Sequence, residues 1–161
     1  MSALKTMDQL RISTATEDQD IELIHRFLSE ESAWARGIPM ETVRTSIQHS
    51  LNFGAFLGPS QVAFARVVSD YSTFAYLVDV FVLEEHRGKG YSSALVSAVL
   101  AHPRLQGLRR FMLATSTAHG LYAKFGFTPP VKPQTLMERY VADPYHHAQN
   151  TGAPVKAVGP A

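Results

Sequence analysis

The amino-acid sequence predicts a single domain of the mixed α/β class. Its 161 residues are 45% hydrophobic, which is enough for one domain with a substantial apolar core. Segments of strand and helix periodicity follow one another in the order strand, two helices, three strands, helix, strand, helix, strand. This order is not the regular alternation that builds an all-parallel sheet, so it favours a mixed sheet with helices packed against it.

The N-terminal part is predicted to hold one strand and two helices. Residues 10–15 form the strand, and Asp18 or Asp20 can cap the helix that follows. Apolar side chains repeat there at helical spacing: Ile21, Ile24, Phe27 and Leu28. Pro39 suits the first turn of a second helix over about 39–51.

Three strands are predicted in the middle of the chain. Residues 52–58 and 61–68 are separated by a Gly-Pro-Ser sequence of hairpin composition. Residues 74–82 are continuously apolar, which predicts a strand that is buried on both faces.

The remaining elements alternate. A helix is predicted over 90–101, a strand over 108–115, and a short helix over 118–125 that Gly126 ends. A last strand is predicted over 134–141. We therefore place a flexible N-terminus at 1–9, the folded domain at 10–141, and a disordered tail at 142–161, which is rich in Pro, Gly, Asn and Ala without periodicity.

The charge and the missing residue types exclude several classes of function. A formal net charge of +1 argues against binding to nucleic acid or to an anionic membrane surface. The chain has no cysteine, which excludes disulfides, thiolate metal sites and a cysteine nucleophile. It has no apolar run of ~18 residues and no signal-peptide core at its N-terminus. We expect a cytoplasmic protein without a metal site, since His146 and His147 lack ligand-type neighbours at suitable spacing.

The most informative motif lies between the strand 74–82 and the helix 90–101. Residues 87–90 read Arg-Gly-Lys-Gly. Glycines allow close backbone approach and positive φ, and a helix that starts directly after them points free N–H groups at the loop. That arrangement suits a phosphate or pyrophosphate. The spacing fits neither the dinucleotide fingerprint nor the P-loop, so neither of those sites is predicted.

Two blocks of sequence resemble the GCN5-related N-acetyltransferase (GNAT) family. Residues 87–92, Arg-Gly-Lys-Gly-Tyr-Ser, are similar to the family's Arg/Gln-x-x-Gly-x-Gly/Ala signature, with Ser92 in the last place. Residues 121–127, Leu-Tyr-Ala-Lys-Phe-Gly-Phe, are similar to a second family block, Leu-Tyr-x-Lys-x-Gly-Phe. The resemblance covers about 10–140. It implies the α/β (α+β) GNAT fold, a central mixed, mostly antiparallel sheet of about six to seven strands flanked by about four helices, with acetyl-CoA as cosubstrate.

The resemblance also implies how acetyl-CoA is held. Backbone groups at the end of one strand would contact the pantetheine arm: Val80, Phe81 and Val82. The loop and the first helical turn would wrap the pyrophosphate: Arg87, Gly88, Lys89, Gly90, Tyr91, Ser92 and Ser93. Thr115 stands where many relatives carry an asparagine that binds the cofactor. Tyr122 matches the tyrosine that protonates the leaving thiolate, and a phenol of pKa ~10 suits a thiolate of pKa ~8.5. The alternative for Tyr122 is a core tyrosine.

The sequence identifies the residues that would bind the acceptor less clearly than those that would bind acetyl-CoA. Asp79 lies in an otherwise apolar strand, where a carboxylate is costly unless it is paired or faces a cleft. We expect it either to bind or deprotonate the acceptor amine, as the resemblance implies, or to be a buried structural residue. Candidate acceptor-binding residues are Trp34, Arg66, Tyr76 and His119, with Arg36, Asp70 and Tyr71 as further lining candidates. Each of them could instead pack in the core or face solvent.

The predicted function is direct transfer of an acetyl group from acetyl-CoA to an amine on a small molecule, without a metal. A protein N-terminus or lysine is the alternative acceptor. A module that senses acyl-CoA without turnover is the alternative from another class. A homodimer is compatible with the exposed sheet edges of this fold.

Overall fold

The computed structural model describes residues 9–145, which contain one five-stranded sheet in the order β1-β2-β3-β4-β5. The first four strands pair antiparallel with their neighbours, and β5 pairs parallel with β4. The strands are β1 (Arg11–Ser13), β2 (Leu51–Leu57), β3 (Ser60–Ser69), β4 (Phe74–Val82) and β5 (Arg110–Leu113). The sheet is therefore mixed and mostly antiparallel, which confirms the predicted fold class.

Four α-helices accompany the sheet in the described chain: α1 (Ile21–Arg26), α2 (Met40–Gln48), α3 (Tyr91–Ala101) and α4 (His119–Ala123). Asp20 caps α1, because its carboxylate accepts a hydrogen bond from the Leu23 N–H at 3.0 Å. A π-turn over Phe27–Glu31 continues α1. Short 3₁₀ turns lie at Thr16–Asp18, Glu84–His86, Pro103–Leu105 and Pro133–Thr135.

Two apolar clusters fill the two faces of the sheet. The first core cluster joins β2, β3 and β4 to α3, through side chains such as Leu95 and Val99. The second core cluster joins the sheet to α1 and α2, through Ile24 and Val43. Consecutive residues of a strand point to opposite faces, which explains why Phe64 belongs to the second cluster while both its neighbours belong to the first.

Helix α2 ends earlier than the 39–51 predicted, because the chain there already enters β2. The buried Asn52 side chain donates from Nδ2 to the carbonyls of Ile47 (2.8 Å) and Ser50 (3.2 Å). These bonds satisfy carbonyl groups that the end of a helix leaves free. The side chain thereby joins the end of α2 to the start of the strand.

The strand predicted over 134–141 is wrong for the described chain. A 3₁₀ turn at Pro133–Thr135 is followed by exposed backbone that pairs with no strand of the sheet. The described residues therefore form five strands, fewer than the six to seven predicted. Pro129, Pro130 and Pro133 precede this segment; each lacks a donor and has a fixed φ, so they hinder a tight return to the sheet.

The chain is still packed where the tail was predicted to begin. Tyr145 is half-buried against the second core cluster, three residues beyond Ala142. Most of the predicted N-terminal segment (1–8), the rest of the predicted tail (146–161) and the pair His146 and His147 lie outside the described residues.

Over residues 9–145 there is no helix long and apolar enough to cross a bilayer. The same residues contain no group of three or more side chains of the types that ligate metals. The cytoplasmic location stays a prediction.

Candidate active site

Strand β4 carries a bulge at Asp79. Phe64 of β3 pairs with Phe81, whereas Arg66 pairs with Val78, so two residues of β4 lie opposite one residue of β3. Asp79 has a φ of 55° at this point, in the left-handed region that Asp and Asn tolerate best among residues with a side chain. The bulge changes the direction of the strand and brings the Asp79 carboxylate beside Arg66.

An opening lies between the ends of β4 and β5. Their parallel pairing stops at Leu77 and Leu113, while β4 continues for five more residues to Val82. On this side the backbone groups of β4 lack a strand partner within the described chain and remain available to a ligand. Val80, Phe81 and Val82 lie here. The Phe81 ring stacks on Phe27 (centroids 3.9 Å apart) inside the second core cluster, so only its backbone can serve a ligand.

The glycine loop leads directly into α3. Gly88 and Gly90 have φ values of 76° and 81°, and a Cβ at either position would meet no atom within 4 Å. Glycine is therefore required at these two positions by the positive φ and not by a lack of space for a side chain. The first helical bond runs from the Ala94 N–H to the Gly90 carbonyl at 3.0 Å. The N–H groups before Ala94 consequently lack helical partners, as at any helix start.

A cleft of about 160 Å³ lies at this helix start. It is lined by Val82, His86, Arg87, Gly88, Gly90, Tyr91, Ser92 and Ser93. None of these residues carries a carboxylate. The lining instead offers backbone N–H groups, two serine hydroxyls and a guanidinium. His86, which sequence analysis missed, has a buried Nδ1 without a partner in the described chain, so a ligand or water can satisfy it. The donors present fit a pyrophosphate group.

The two basic side chains of the loop are placed differently. Arg87 folds back and donates from Nε to the Val82 carbonyl at 3.0 Å, which ties the loop to the end of β4. Lys89 is exposed. Arg87 also borders a second cavity of about 490 Å³, together with Arg26, Glu31, Leu83, Glu84 and Glu85. The carboxylates of that cavity make it a poor site for phosphate.

Tyr122 lies in α4, a helix of five residues. Thr115 begins the preceding turn, and its Oγ1 accepts a hydrogen bond from the Ala118 N–H at 3.0 Å. Burial raises the pKa of Tyr122 above its ordinary value, so the phenol is protonated at neutral pH. Its hydroxyl forms no hydrogen bond with residues 9–145, and its ring packs edge-on to Phe127 (centroids 6.0 Å apart).

Asp79, Trp34 and Arg66 form a polar cluster on the face of the sheet that α1 and α2 cover. The Asp79 carboxylate is 8% exposed. It accepts hydrogen bonds from Trp34 Nε1 at 2.8 Å and from Arg66 Nε at 2.9 Å. Arg66 also donates from Nη1 to Ser50 Oγ at 3.0 Å. The indole of Trp34 is 52% exposed, so this cluster opens to solvent at the tryptophan.

Tyr145 approaches the same cluster and was missed by sequence analysis, which placed it in a tail. Burial and the nearby Asp79 carboxylate raise the pKa of Tyr145, while Arg66 opposes that effect. The only sequence signal is a single aromatic residue after Pro144 in an otherwise polar stretch, which is too weak to predict packing.

The other predicted acceptor residues form no hydrogen bond with this cluster within residues 9–145. Asp70 and Tyr71 form the turn between β3 and β4, at the opposite end of β4 from Asp79. Tyr71 packs instead against the Arg104 guanidinium, 3.6 Å from its ring centroid. His119 is exposed at the start of α4 and Arg36 is exposed between α1 and α2. Tyr76 is half-buried in β4, opposite Val68 of β3 and Met112 of β5.

Comparison with known proteins gives a consistent result. The family model described as the acetyltransferase (GNAT) family matches residues 21–127. A candidate acetyltransferase of that family from Xanthomonas campestris pv. campestris, solved by crystallography, is 63% identical with a TM-score of 0.84. The match covers 86% of this chain and 98% of that one. A candidate acetyltransferase of Gibberella zeae is 29% identical over 135 residues, 70% of this chain and 75% of that protein.

A more distant solved structure has the same fold. Glucosamine-6-phosphate N-acetyltransferase from Arabidopsis thaliana is 16% identical, with a TM-score of 0.58 over 83% of this chain and 99% of that one. At this identity the likeness concerns the architecture alone.

Proposed function

Because the chain belongs to the acetyltransferase (GNAT) family, we propose that it transfers an acetyl group from acetyl-CoA directly to an amine on a small molecule. One observation carries the cofactor part of the proposal. A loop with two positive-φ glycines opens α3 beside a cleft without carboxylates, at the place where β4 and β5 separate.

The residues that would hold acetyl-CoA are those predicted from sequence. Backbone N–H groups of Gly88, Gly90, Ser92 and their neighbours would bind the pyrophosphate, aided by the α3 dipole. The unpaired edge of β4 near Val80 would hydrogen-bond the pantetheine amides. Bound acetyl-CoA supplies the activated thioester. Arg87 maintains the loop through its bond to the Val82 carbonyl and adds positive charge.

We assign Tyr122 the role of general acid. Its raised pKa keeps the phenol protonated at neutral pH, and its hydroxyl has no competing partner among residues 9–145. It can therefore donate its proton to a departing thiolate. The ring of Tyr122 packs in the first core cluster, which restricts the positions that the hydroxyl can take. Thr115 supports this arrangement by capping the turn that precedes α4.

We assign Asp79 to the acceptor side. Both carboxylate oxygens already accept a hydrogen bond, one from Trp34 and one from Arg66. This favours a carboxylate held in a fixed position, which attracts and orients a cationic amine, over a mobile general base. The bound amine would then lose one proton to solvent before its lone pair attacks the thioester. Trp34, the exposed member of the cluster, would line the entry of the acceptor.

The first experiment is a calorimetric titration with acetyl-CoA, with CoA and NADH as comparators. We expect low-micromolar binding of acetyl-CoA and none of NADH. A panel of small amines is then screened for release of free CoA thiol. Failure to bind acetyl-CoA would refute the assignment of the loop. It would also refute the roles proposed for Tyr122 and Asp79, because both depend on bound acetyl-CoA.

The same assay separates the alternatives. A protein acetyltransferase would turn over peptides that carry a free N-terminus or lysine, and would ignore small amines. A sensor would bind acetyl-CoA, release no CoA with any amine, and be indifferent to Tyr122→Phe.

A further inference from the structure

Part of the sheet stays uncovered on the side where α1 and α2 pack. The second core cluster includes only Phe64 and Phe81 from the strands, so the two helices cover the sheet at that end. Val68 and Phe74 are 43% and 38% exposed on the same side. Five apolar residues there belong to neither core cluster, and we call them the open face: Val68, Phe74, Tyr76, Val78 and Met112.

The open face is one continuous surface. Val68 of β3 lies opposite Tyr76 of β4, and Tyr76 lies opposite Met112 of β5. Neighbouring strands are about 4.7–4.9 Å apart, so these three side chains form a row across the sheet. Phe74 and Val78 extend the row along β4, because every second residue of a strand points to the same face. A contiguous apolar patch marks a binding surface, whereas single exposed apolar residues are ordinary.

The open face borders the polar cluster that contains Asp79. Val78 precedes Asp79 in β4 and lies opposite Arg66 of β3, whose guanidinium binds the Asp79 carboxylate. Trp34, the other partner of that carboxylate, is the exposed member of the cluster. An acceptor whose amine lies at Asp79 would therefore have the rest of its molecule beside Val78 and Tyr76.

The open face also ends where β4 and β5 separate. Their pairing stops at Leu77 and Leu113, which pack on the opposite face in the first core cluster. Tyr76 and Met112 are therefore the last pair on the open face before the opening between the strands. A molecule bound on this face would have one end at that opening, where the thioester of acetyl-CoA is proposed to lie.

The chemistry of the open face discriminates among amines. It contains no carboxylate, and the Tyr76 hydroxyl is its only side-chain oxygen or nitrogen. The further ammonium groups of a polyamine would find no negative charge on it. The hydroxyl groups of an amino sugar would lose water there without gaining hydrogen-bond partners. An apolar body, in contrast, removes both its own surface and that of the open face from water, which is favourable.

We propose that the acceptor is a primary amine on an apolar body, with the amine at Asp79 and the body on the open face. This inference rests on the proposed acetyl transfer and names its substrate class. Val68, Tyr76 and Val78 then determine the preference among amines, because they contact the body of the acceptor. None of the three takes part in the chemical step.

Fluorescence of Trp34 measures acceptor binding without turnover. It is the single tryptophan of the chain, it is half-exposed, and its indole donates to Asp79. Titrations with 2-phenylethylamine and hexylamine, with and without CoA, should change its emission saturably. Their Kd should be roughly tenfold or more below that of ethylamine, spermidine and glucosamine, because only they bury apolar surface. Equal or tighter binding of the polar amines, or no saturable change with any amine, would overturn the proposal.

Substitutions on the open face should change this preference. Val68→Asp adds a carboxylate to the row and should weaken binding of 2-phenylethylamine roughly tenfold while it strengthens binding of spermidine. Val68→Thr keeps the β-branched shape and should weaken 2-phenylethylamine less, with spermidine unchanged. Val131→Asp, at an exposed apolar residue outside the open face, is the control and should change neither. If the Val68 variants are folded by circular dichroism and keep the wild-type preference, the proposal is wrong.

The outcomes distinguish this proposal from the proposed function. Binding of apolar amines without release of CoA thiol would support the open face as a binding site and refute acetyl transfer. Transfer to amines without any preference for an apolar body would support acetyl transfer and refute the open face. A dimer that Val68→Asp converts to a monomer, with the amine preference unchanged, would assign the face to a second copy and overturn the proposal.

Discussion

Replacement of Asp79 by asparagine tests the acceptor site most directly. Asparagine has nearly the same shape, and with aspartate it best tolerates the left-handed backbone at this position, where φ is 55°. The substitution therefore removes the negative charge of the cluster without adding backbone strain. Alanine would remove the charge and add strain, so it is the poorer choice.

The loss of stability follows from the contacts of Asp79. Arg66, 15% exposed, would lose its counter-charge at 2.9 Å. A hydrogen bond to a charged group contributes about 1.5–3 kcal/mol, and breaking a buried pair at one partner costs about 3–5 kcal/mol. The asparagine oxygen can still accept from Trp34 or Arg66, so we expect the lower range, about 1.5–3 kcal/mol. For a chain of this length that lowers Tm by about 3–12 °C.

Kinetic measurements then distinguish an acceptor-binding role of Asp79 from a purely structural role. If Asp79 attracts a protonated amine, Asp79→Asn should raise KM for a cationic acceptor about tenfold, or about 1.4 kcal/mol, with KM for acetyl-CoA unchanged. The double variant Arg66→Met with Asp79→Asn removes both charges and should regain stability, because neither charge is left unpaired. It should not regain the low KM. An unchanged KM in the single variant, or a double variant that recovers it, would refute the acceptor role and leave Asp79 a structural residue.

Three other substitutions test the fold and the cofactor side. Gly54→Ala would press a Cβ against Gln19 Oε1 in a buried network and should lower the free energy of unfolding in urea by about 1–3 kcal/mol; Gly120→Ala, which meets open space, should not. Tyr122→Phe should lower kcat by roughly 10²-fold with unchanged acetyl-CoA affinity, and an unchanged rate would remove Tyr122 as the acid. Since burial raises the pKa of Tyr122 above 10.0, the wild-type kcat should fall only above pH 10, and the stability that this tyrosine contributes to the fold should be lost over the same range. Gly90→Val should abolish acetyl-CoA binding measured by calorimetry, because a β-branched residue cannot hold φ 81°; near-normal affinity would contradict the loop assignment.

Local features of the site could be predicted from sequence because their parts are neighbours in the chain. The loop before α3 needs glycines and a helix start within a few residues, and both are visible in residues 87–92. The hairpin between β2 and β3 and the cap at Asp20 are local in the same way. Features that are formed by residues close together in the chain can be recognised in a short stretch of sequence.

The polar cluster around Asp79 could not be predicted in the same way. Its partners Trp34 and Arg66 lie 45 and 13 residues away, and Tyr145 comes from the far end of the chain. Their meeting depends on a bulge that changes the register between β3 and β4, and no residue pattern in β4 signals it. Long-range contacts depend on how the strands align, which the local sequence does not encode.

Residues 134–141 illustrate the division between the two. Their composition is typical of a strand, but a strand exists only where another strand supplies its hydrogen bonds, and no partner lies within the described chain. Propensity is a property of the segment, whereas pairing is a property of the whole molecule or of its assembly.

The sequence by itself determined the fold class, the order of most elements, the glycine loop and the two blocks that carry the family resemblance. Each of these features depends on side chains and backbone preferences within short, continuous segments of the sequence. Only the tertiary structure decided that β4 bulges, that the Asp79 carboxylate is bound by Trp34 and Arg66, that Tyr145 packs beside them, and that β5 has an open edge. These outcomes depend on register and burial, which arise when distant segments compete for the same space and the same hydrogen bonds.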